Sequence, residues 1–102
     1  MSEFVKVART SDVPDGGATC VEVGGHRIAL FNLGGEFYAT DDTCTHAEAS
    51  LSEGEVVGDE VMCPLHFATF RIQTGEVLSP PADDDLQTYE VRVDGEDVLI
   101  RI

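Results

Sequence analysis

Four side chains in this sequence have the types and spacing to hold a metal: Cys44 and His46, then Cys63 and His66. They form a C-x-H doublet, a gap of sixteen residues, and a C-x-x-H doublet. Thiolate and imidazole are soft or borderline ligands, and each of two segments supplies one of each. The C-x-H spacing is too tight for one helix face but suits an extended loop, where residues rise ~3.3 Å apart. Two kinds of centre fit the donor set. One is a closed tetrahedral zinc site of two Cys and two His. The other is a two-iron, two-sulfide cluster with both Cys on one iron and both His on the other. The bland reading is a buried Cys pair with two surface His, and ligand types alone do not separate the three. The third cysteine, Cys20, sits between Thr19 and Val21 and reads as a small core residue. His26 follows Gly24-Gly25 and reads as an ordinary surface or turn histidine.

The elements that must position these doublets are short. Phe4–Ala8, Thr19–Val23, His26–Asn32 and Glu36–Thr40 are rich in β-branched or aromatic residues, and Gly34-Gly35 joins the last two as a hairpin. Thr88–Val93 and Asp97–Ile102 flank Asp94-Gly95-Glu96, the strongest hairpin signal in the chain. Between them, residues 55–63 read as strand, turn at Gly58-Asp59, strand. No stretch of ten residues carries helical periodicity. The expected fold is all-β, a small antiparallel sandwich or barrel. Residues 41–54 and 63–67 interrupt the strands as two irregular loops, the usual place for function on a β scaffold.

Composition narrows the function. At 102 residues the chain is expected to form one domain, 1–102. Twenty acids against six bases give a net charge of −14, which argues against nucleic-acid or anionic-membrane binding, because both need clustered Lys and Arg. An odd count of three cysteines does not fit a disulfide framework. No apolar run approaches the ~20 residues of a membrane span, and the first ten residues lack the apolar core of a signal peptide, so a cytoplasmic protein is expected. The GGHR and GGEF segments are not a dinucleotide fingerprint.

The boxes CTHAEASLSEG and CPLHFATFRIQTGEVLSPP resemble those of Rieske [2Fe–2S] ferredoxins, particularly the small carriers of bacterial aromatic-ring-hydroxylating dioxygenase systems. The resemblance runs from about Phe4 to Ile102 and is most specific over residues 36–81. It implies a Rieske-like β-sandwich with a cluster-binding subdomain of two loops, about residues 42–72, at one end. It implies that Cys44 and Cys63 hold the inner iron and His46 and His66 the outer, solvent-facing iron. Ser79-Pro80-Pro81 matches the family's Pro-containing loop near the cluster. High-potential Rieske proteins carry an extra Cys in each box, where this chain has Ala49 and Leu65. They also carry a Ser and a Tyr that donate to cluster or ligand sulfur, where this chain has Ala68 and Phe70. Fewer donors stabilise the reduced cluster less, so a potential near the low end of the Rieske range, about −150 mV, is expected, falling further at alkaline pH as the coordinated imidazoles lose protons.

The implied function is one-electron transfer from an NAD(P)H-dependent ferredoxin reductase to a terminal oxygenase in aromatic hydrocarbon catabolism. The chain itself would be a monomer with no catalytic residues, docking transiently near His46 and His66. Leu65 and Phe67 are candidate apolar contacts, and the acids Asp41, Asp42, Glu48, Glu53, Glu55 and Asp83–Asp85 are either a docking surface or a solvated face. Two alternatives remain: a Rieske-like small subunit of an assimilatory nitrite reductase, and a zinc-stabilised interaction domain.

Overall fold

The run Ile28-Ala29-Leu30-Phe31 is apolar without alternation, and such a strand must be covered on both faces. In the computed structural model, which describes residues 4–43, 49–64, 68–79 and 85–101, all four side chains are fully buried. They lie in β3 (His26–Leu33), at the centre of an antiparallel sheet ordered β2-β3-β4-β8, with β2 at Ala18–Val23, β4 at Glu36–Asp41 and β8 at Thr88–Tyr89. Ile28 and Leu30 face one core with Val13, Val23, Ala39, Val98 and Ile100. Ala29 and Phe31 face the other, with Leu51, Val61, Cys63, Ala68, Phe70, Ile72 and Leu86.

Each face has its own cover. The first core is closed by β1 (Phe4–Arg9), β10 (Asp97–Arg101) and β9 (Val91–Asp94), in the order β1-β10-β9. The second is closed by β5 (Glu55–Val57), β6 (Glu60–Met62) and β7 (Thr69–Arg71). The regular structure of the described residues is thus almost all antiparallel sheet, as the short strands and glycine turns predict. Among them, 3₁₀ turns at Thr10–Asp12 and Leu51–Glu53 interrupt it. Among the described residues no helix is long and apolar enough to cross a membrane.

Glycine turns set the hairpins where the sequence places them. Gly34 and Gly35 both have positive φ, 66° and 93°, the backbone that matches the twist of a two-residue hairpin. Register then follows, with Phe31 opposite Tyr38 and Leu30 opposite Ala39. The segment Thr88–Val93 departs from its sequence reading as a single strand. Tyr89 pairs with Ala39 in the middle sheet, whereas Val91 pairs with Ile100 in the outer one. The chain crosses between sheets at Glu90, whose carbonyl accepts the Arg101 N–H at 3.0 Å. Both β4 and β10 need an edge partner, and one segment serves the two in turn.

Candidate metal centre

The described residues that flank the two doublets, Leu51, Val61, Cys63 and Ala68, belong to the second core. The first loop follows β4. Its ends are joined by an antiparallel bridge between Thr43 and Ser50 and by the Leu51 N–H donating to the Asp42 carbonyl at 2.7 Å. The second loop joins β6 to β7. Its base is the Met62–Thr69 pair, with the Cys63 N–H donating to the Ala68 carbonyl at 2.7 Å. A third loop follows Val77, which lies beside β7. It is held by a Phe70–Val77 bridge, by the Leu78 N–H on the Thr69 carbonyl (2.8 Å), and by a Thr69–Ser79 hydroxyl pair at 2.6 Å. On its far side Asp85 accepts the Val77 N–H at 2.9 Å. Strand β7 therefore carries the bases of two loops at once.

Of the four proposed ligands, Cys63 is described. Its side chain is fully buried in a wall of Leu51, Val61, Ala68, Phe70 and Ile72. Cys44, His46 and His66 lie outside the described residues, as do Glu48, Leu65, Phe67, Pro80, Pro81, Asp83 and Asp84. The surroundings of Cys63 fit the inner side of a Rieske cluster. A thiolate in an apolar, fully buried wall suits an inner iron, and the wall offers no protein hydroxyl from Ala68 or Phe70, both of them fully buried. The third cysteine is placed elsewhere. Cys20 lies in β2, half-buried rather than in the core, with the Arg27 guanidinium 3.8 Å from its sulfur. Burial raises its pKa above the usual thiol value, although Arg27 opposes this. His26 is exposed at the start of β3.

The acidic residues beside the first loop do not all face a partner. Asp42 is 1% exposed and is part of the fold. Its Oδ2 accepts the Ser50 hydroxyl at 2.5 Å, its Oδ1 accepts the Ser52 N–H at 2.9 Å, and Arg27 stands 3.5 Å from Oδ2. Burial alone would raise its pKa, but the bonds from Ser50 and Ser52 outweigh this and hold the carboxyl below the usual range. Asp41 is half-buried and accepts the Tyr89 hydroxyl at 2.6 Å. Burial, then that bond, pushes the Tyr89 phenol up to about 12. Glu53, Glu55 and Asp85 remain exposed. Sequence reasoning grouped Asp42 with the docking acids. The signal that could separate it is the Ser50-x-Ser52 pair beyond the loop, whose Ser50 hydroxyl and Ser52 N–H both reach the carboxylate.

Comparison with known proteins places the chain in a family. The model of the Rieske [2Fe–2S] domain matches residues 3–90. The ferredoxin subunit of biphenyl dioxygenase from Pseudomonas sp. (strain KKS102) is 46% identical over 98 residues, 95% of this chain and 90% of its own length. The ferredoxin subunit of 3-phenylpropionate/cinnamic acid dioxygenase from Escherichia coli (strain K12) is 50% identical over 91 residues, 88% of this chain and 85% of its own. Among solved structures, a chain from the complex of reduced oxygenase and oxidised ferredoxin in carbazole 1,9a-dioxygenase superposes with a TM-score of 0.89. It is 41% identical and covers 95% of this chain and 91% of that one. With its donor doublets, its buried Cys63 and this near-full-length likeness, the chain belongs to the Rieske [2Fe–2S] family, carries a Rieske-type cluster as its cofactor, and groups with the ferredoxin subunits of dioxygenase systems.

Proposed function

We propose that this chain is a cytoplasmic, monomeric one-electron carrier that takes electrons from an NAD(P)H-dependent ferredoxin reductase and delivers them to a terminal aromatic-ring-hydroxylating oxygenase. The observation that carries the reading is the near-full-length likeness to ferredoxin subunits of such systems. When bound, the cluster supplies a centre that accepts and releases a single electron. The protein's part is to hold it, keep water from its inner side and present its outer side. Cys44 and Cys63 would hold the inner iron, and His46 and His66 the outer one. The Leu51, Val61, Phe70 and Ile72 wall around Cys63 excludes water from the inner side. The whole chain acts as one Rieske domain, residues 1–102, with residues 42–72 as its cluster-binding part.

Docking near His46 and His66 would be small and transient, below ~1,200 Å². Exposed Glu53, at the exit of the first loop, Glu55, which opens β5, and Asp85, beyond the third loop, support a basic partner surface. The potential should lie near the low end of the Rieske range, since the wall positions at Ala68 and Phe70 carry no hydroxyl.

The test is metal and sulfide analysis of the purified chain with EPR after reduction, followed by electron transfer to an oxygenase through a ferredoxin reductase. Two irons and two sulfides per chain, a Rieske signal and NAD(P)H-dependent oxygenase turnover are expected. One zinc and no signal would overturn the reading. His46→Ala or His66→Ala should abolish or convert the signal, and an unchanged Rieske spectrum in either would refute the ligand assignment. Electron delivery should slow as ionic strength rises, and a flat salt profile would remove the acidic surface from the docking account.

A further inference from the structure

A carboxylate taken almost wholly out of water is costly unless its oxygens are satisfied, so a buried Asp marks a place where the fold needs one. Asp42 is such a group, and three of its bonds cross the mouth of the first ligand loop. Its carbonyl accepts the Leu51 N–H, its Oδ1 the Ser52 N–H and its Oδ2 the Ser50 hydroxyl, while its own N–H donates to the Arg27 carbonyl at 3.1 Å. Residues 43 and 50 are bridged, so Asp42 ties the chain entering the loop to three consecutive residues leaving it. Ser50 and Ser52 hydroxyls, 2.9 Å apart, extend the same network. Fully buried Leu51, between them, seals the network against the core that contains Cys63.

The charge is as informative as the bonds. Arg27 is the cation paired with Asp42, and it is more than half exposed, so solvent weakens its compensation. Asp42 and Cys44 are two residues apart in the chain, so their Cα atoms can be at most ~7 Å apart, a range at which a buried charge is little screened. A negative charge at that range disfavours adding an electron to the centre that Cys44 would hold.

We propose that Asp42 is the positioning residue of the first ligand loop, bracing it through Ser50, Leu51 and Ser52, and that its charge, opposed by that of Arg27, lowers the reduction potential. The inference rests on Cys44 and His46 being ligands. The Ser50-x-Ser52 spacing serves the brace, because residues 50 and 52 present their groups to the two oxygens of one carboxylate.

The brace and the charge separate in variants of the full chain, prepared with the cluster bound. Asp42→Asn keeps an oxygen for the Ser52 N–H and removes the charge. Ser50→Ala cuts one brace bond and leaves the charge. Arg27→Gln leaves the brace and removes the opposing cation. Iron and sulfide per chain, the rate of cluster loss in mild urea, and the midpoint potential by EPR-monitored titration are measured for each. Asp42→Asn should load normally and shift the potential upward. Arg27→Gln should load normally and shift it downward. Ser50→Ala should lose its cluster several-fold faster with the potential unchanged, and Asp42→Ala should load poorly or not fold. Wild-type loading and loss rates in both Asp42→Ala and Ser50→Ala would overturn the brace. Potentials that stay put, or move the same way, in Asp42→Asn and Arg27→Gln would overturn the charge effect. Failure of Asp42→Asn to load would overturn the separation of the two. A wild-type chain without a Rieske signal would instead refute the family reading of the ligands, so the two failures are distinguishable.

Discussion

Replacing Gly54 by Ala tests whether the first loop's exit and the second loop's entry are packed as one unit. Gly54 ends the Leu51–Glu53 turn with φ −77° and ψ 174°, a backbone that alanine adopts freely. On conformational grounds alone Gly54→Ala would stabilise by about 0.4–1 kcal/mol, through the unfolded chain. Sterics reverse the sign. A Cβ there would run into the Met62 carbonyl oxygen, well inside the 3.0 Å limit that real Cβ contacts respect, and would lie 3.1 Å from the Leu51 carbonyl oxygen on its other side. The clash is with backbone, so no side-chain rotation relieves it. Met62 is held on both sides, by Glu55 in β5 and Thr69 in β7, and it precedes Cys63. Overpacking of this kind costs about 1–3 kcal/mol, and a clash that must move strand backbone belongs at the upper end. Less the entropic gain, the net loss is about 2 kcal/mol, or roughly 8–16 °C in Tm for a domain of this size.

The control is Gly58→Ala. Gly58 has φ 62°, and a Cβ added to it would meet no atom within 4 Å. The substitution therefore incurs left-handed backbone strain of about 1–2 kcal/mol with no push on its neighbours. Thermal unfolding by circular dichroism and EPR of the reduced holoprotein are measured on both variants. Both should be destabilised, but only Gly54→Ala should alter the EPR signal or the potential. A Gly54→Ala protein as stable as wild type, or one whose spectrum is as unperturbed as that of Gly58→Ala, would refute the packing argument.

Three further outcomes are expected. Tyr89 releases its proton near 10 in the unfolded chain and at about 12 in the fold, so between these values the unfolded state binds fewer protons and stability falls as pH rises. The stabilisation lost is on the order of 1–2 kcal/mol after allowing for its partial exposure; urea unfolding at pH 10 to 12 should show that slope in wild type and lose it in Tyr89→Phe. Ala68→Ser places a hydroxyl in the wall beside Cys63, and a donor to ligand sulfur favours the reduced state. Its midpoint potential should rise, and a fall or no change would remove hydrogen-bond donation as the lever. Ile100→Ala empties a fully buried site in the core on the far face of the middle sheet, at a cost of about 2–5 kcal/mol. Denaturant titration should show that loss while the EPR signal of the folded holoprotein stays unchanged; a changed signal would mean the two cores are coupled through β3.

Local chemistry wrote much of this protein into its sequence. Glycine can adopt the turn backbone that other residues resist, so the hairpins at Gly34-Gly35 and Asp94-Gly95-Glu96 were legible without any tertiary knowledge. The two Cys/His doublets stand out in the sequence as candidate ligands, because metal chemistry needs particular donor atoms at short spacing. The all-β class was legible too, and the unbroken apolar run of β3 is explained by cores on both of its faces. Strand β7 was not visible. It has three residues, and it is a strand because β6 lies beside it.

What the tertiary structure alone decided are the features that depend on residues distant in the chain. Thr88–Val93 reads as one strand, yet it divides at Glu90 because two different sheets, ending in β4 and β10, compete for it. Asp41 and Asp42 read alike as adjacent acids. One holds the Tyr89 hydroxyl from 48 residues away, and the other is buried under Ser50 and Ser52. Burial is a property of what packs above a side chain, and a one-dimensional pattern carries charge and spacing but not cover. The sequence determined which atoms are available for the chemistry, whereas the fold decided which charges are taken out of water and so become part of the site.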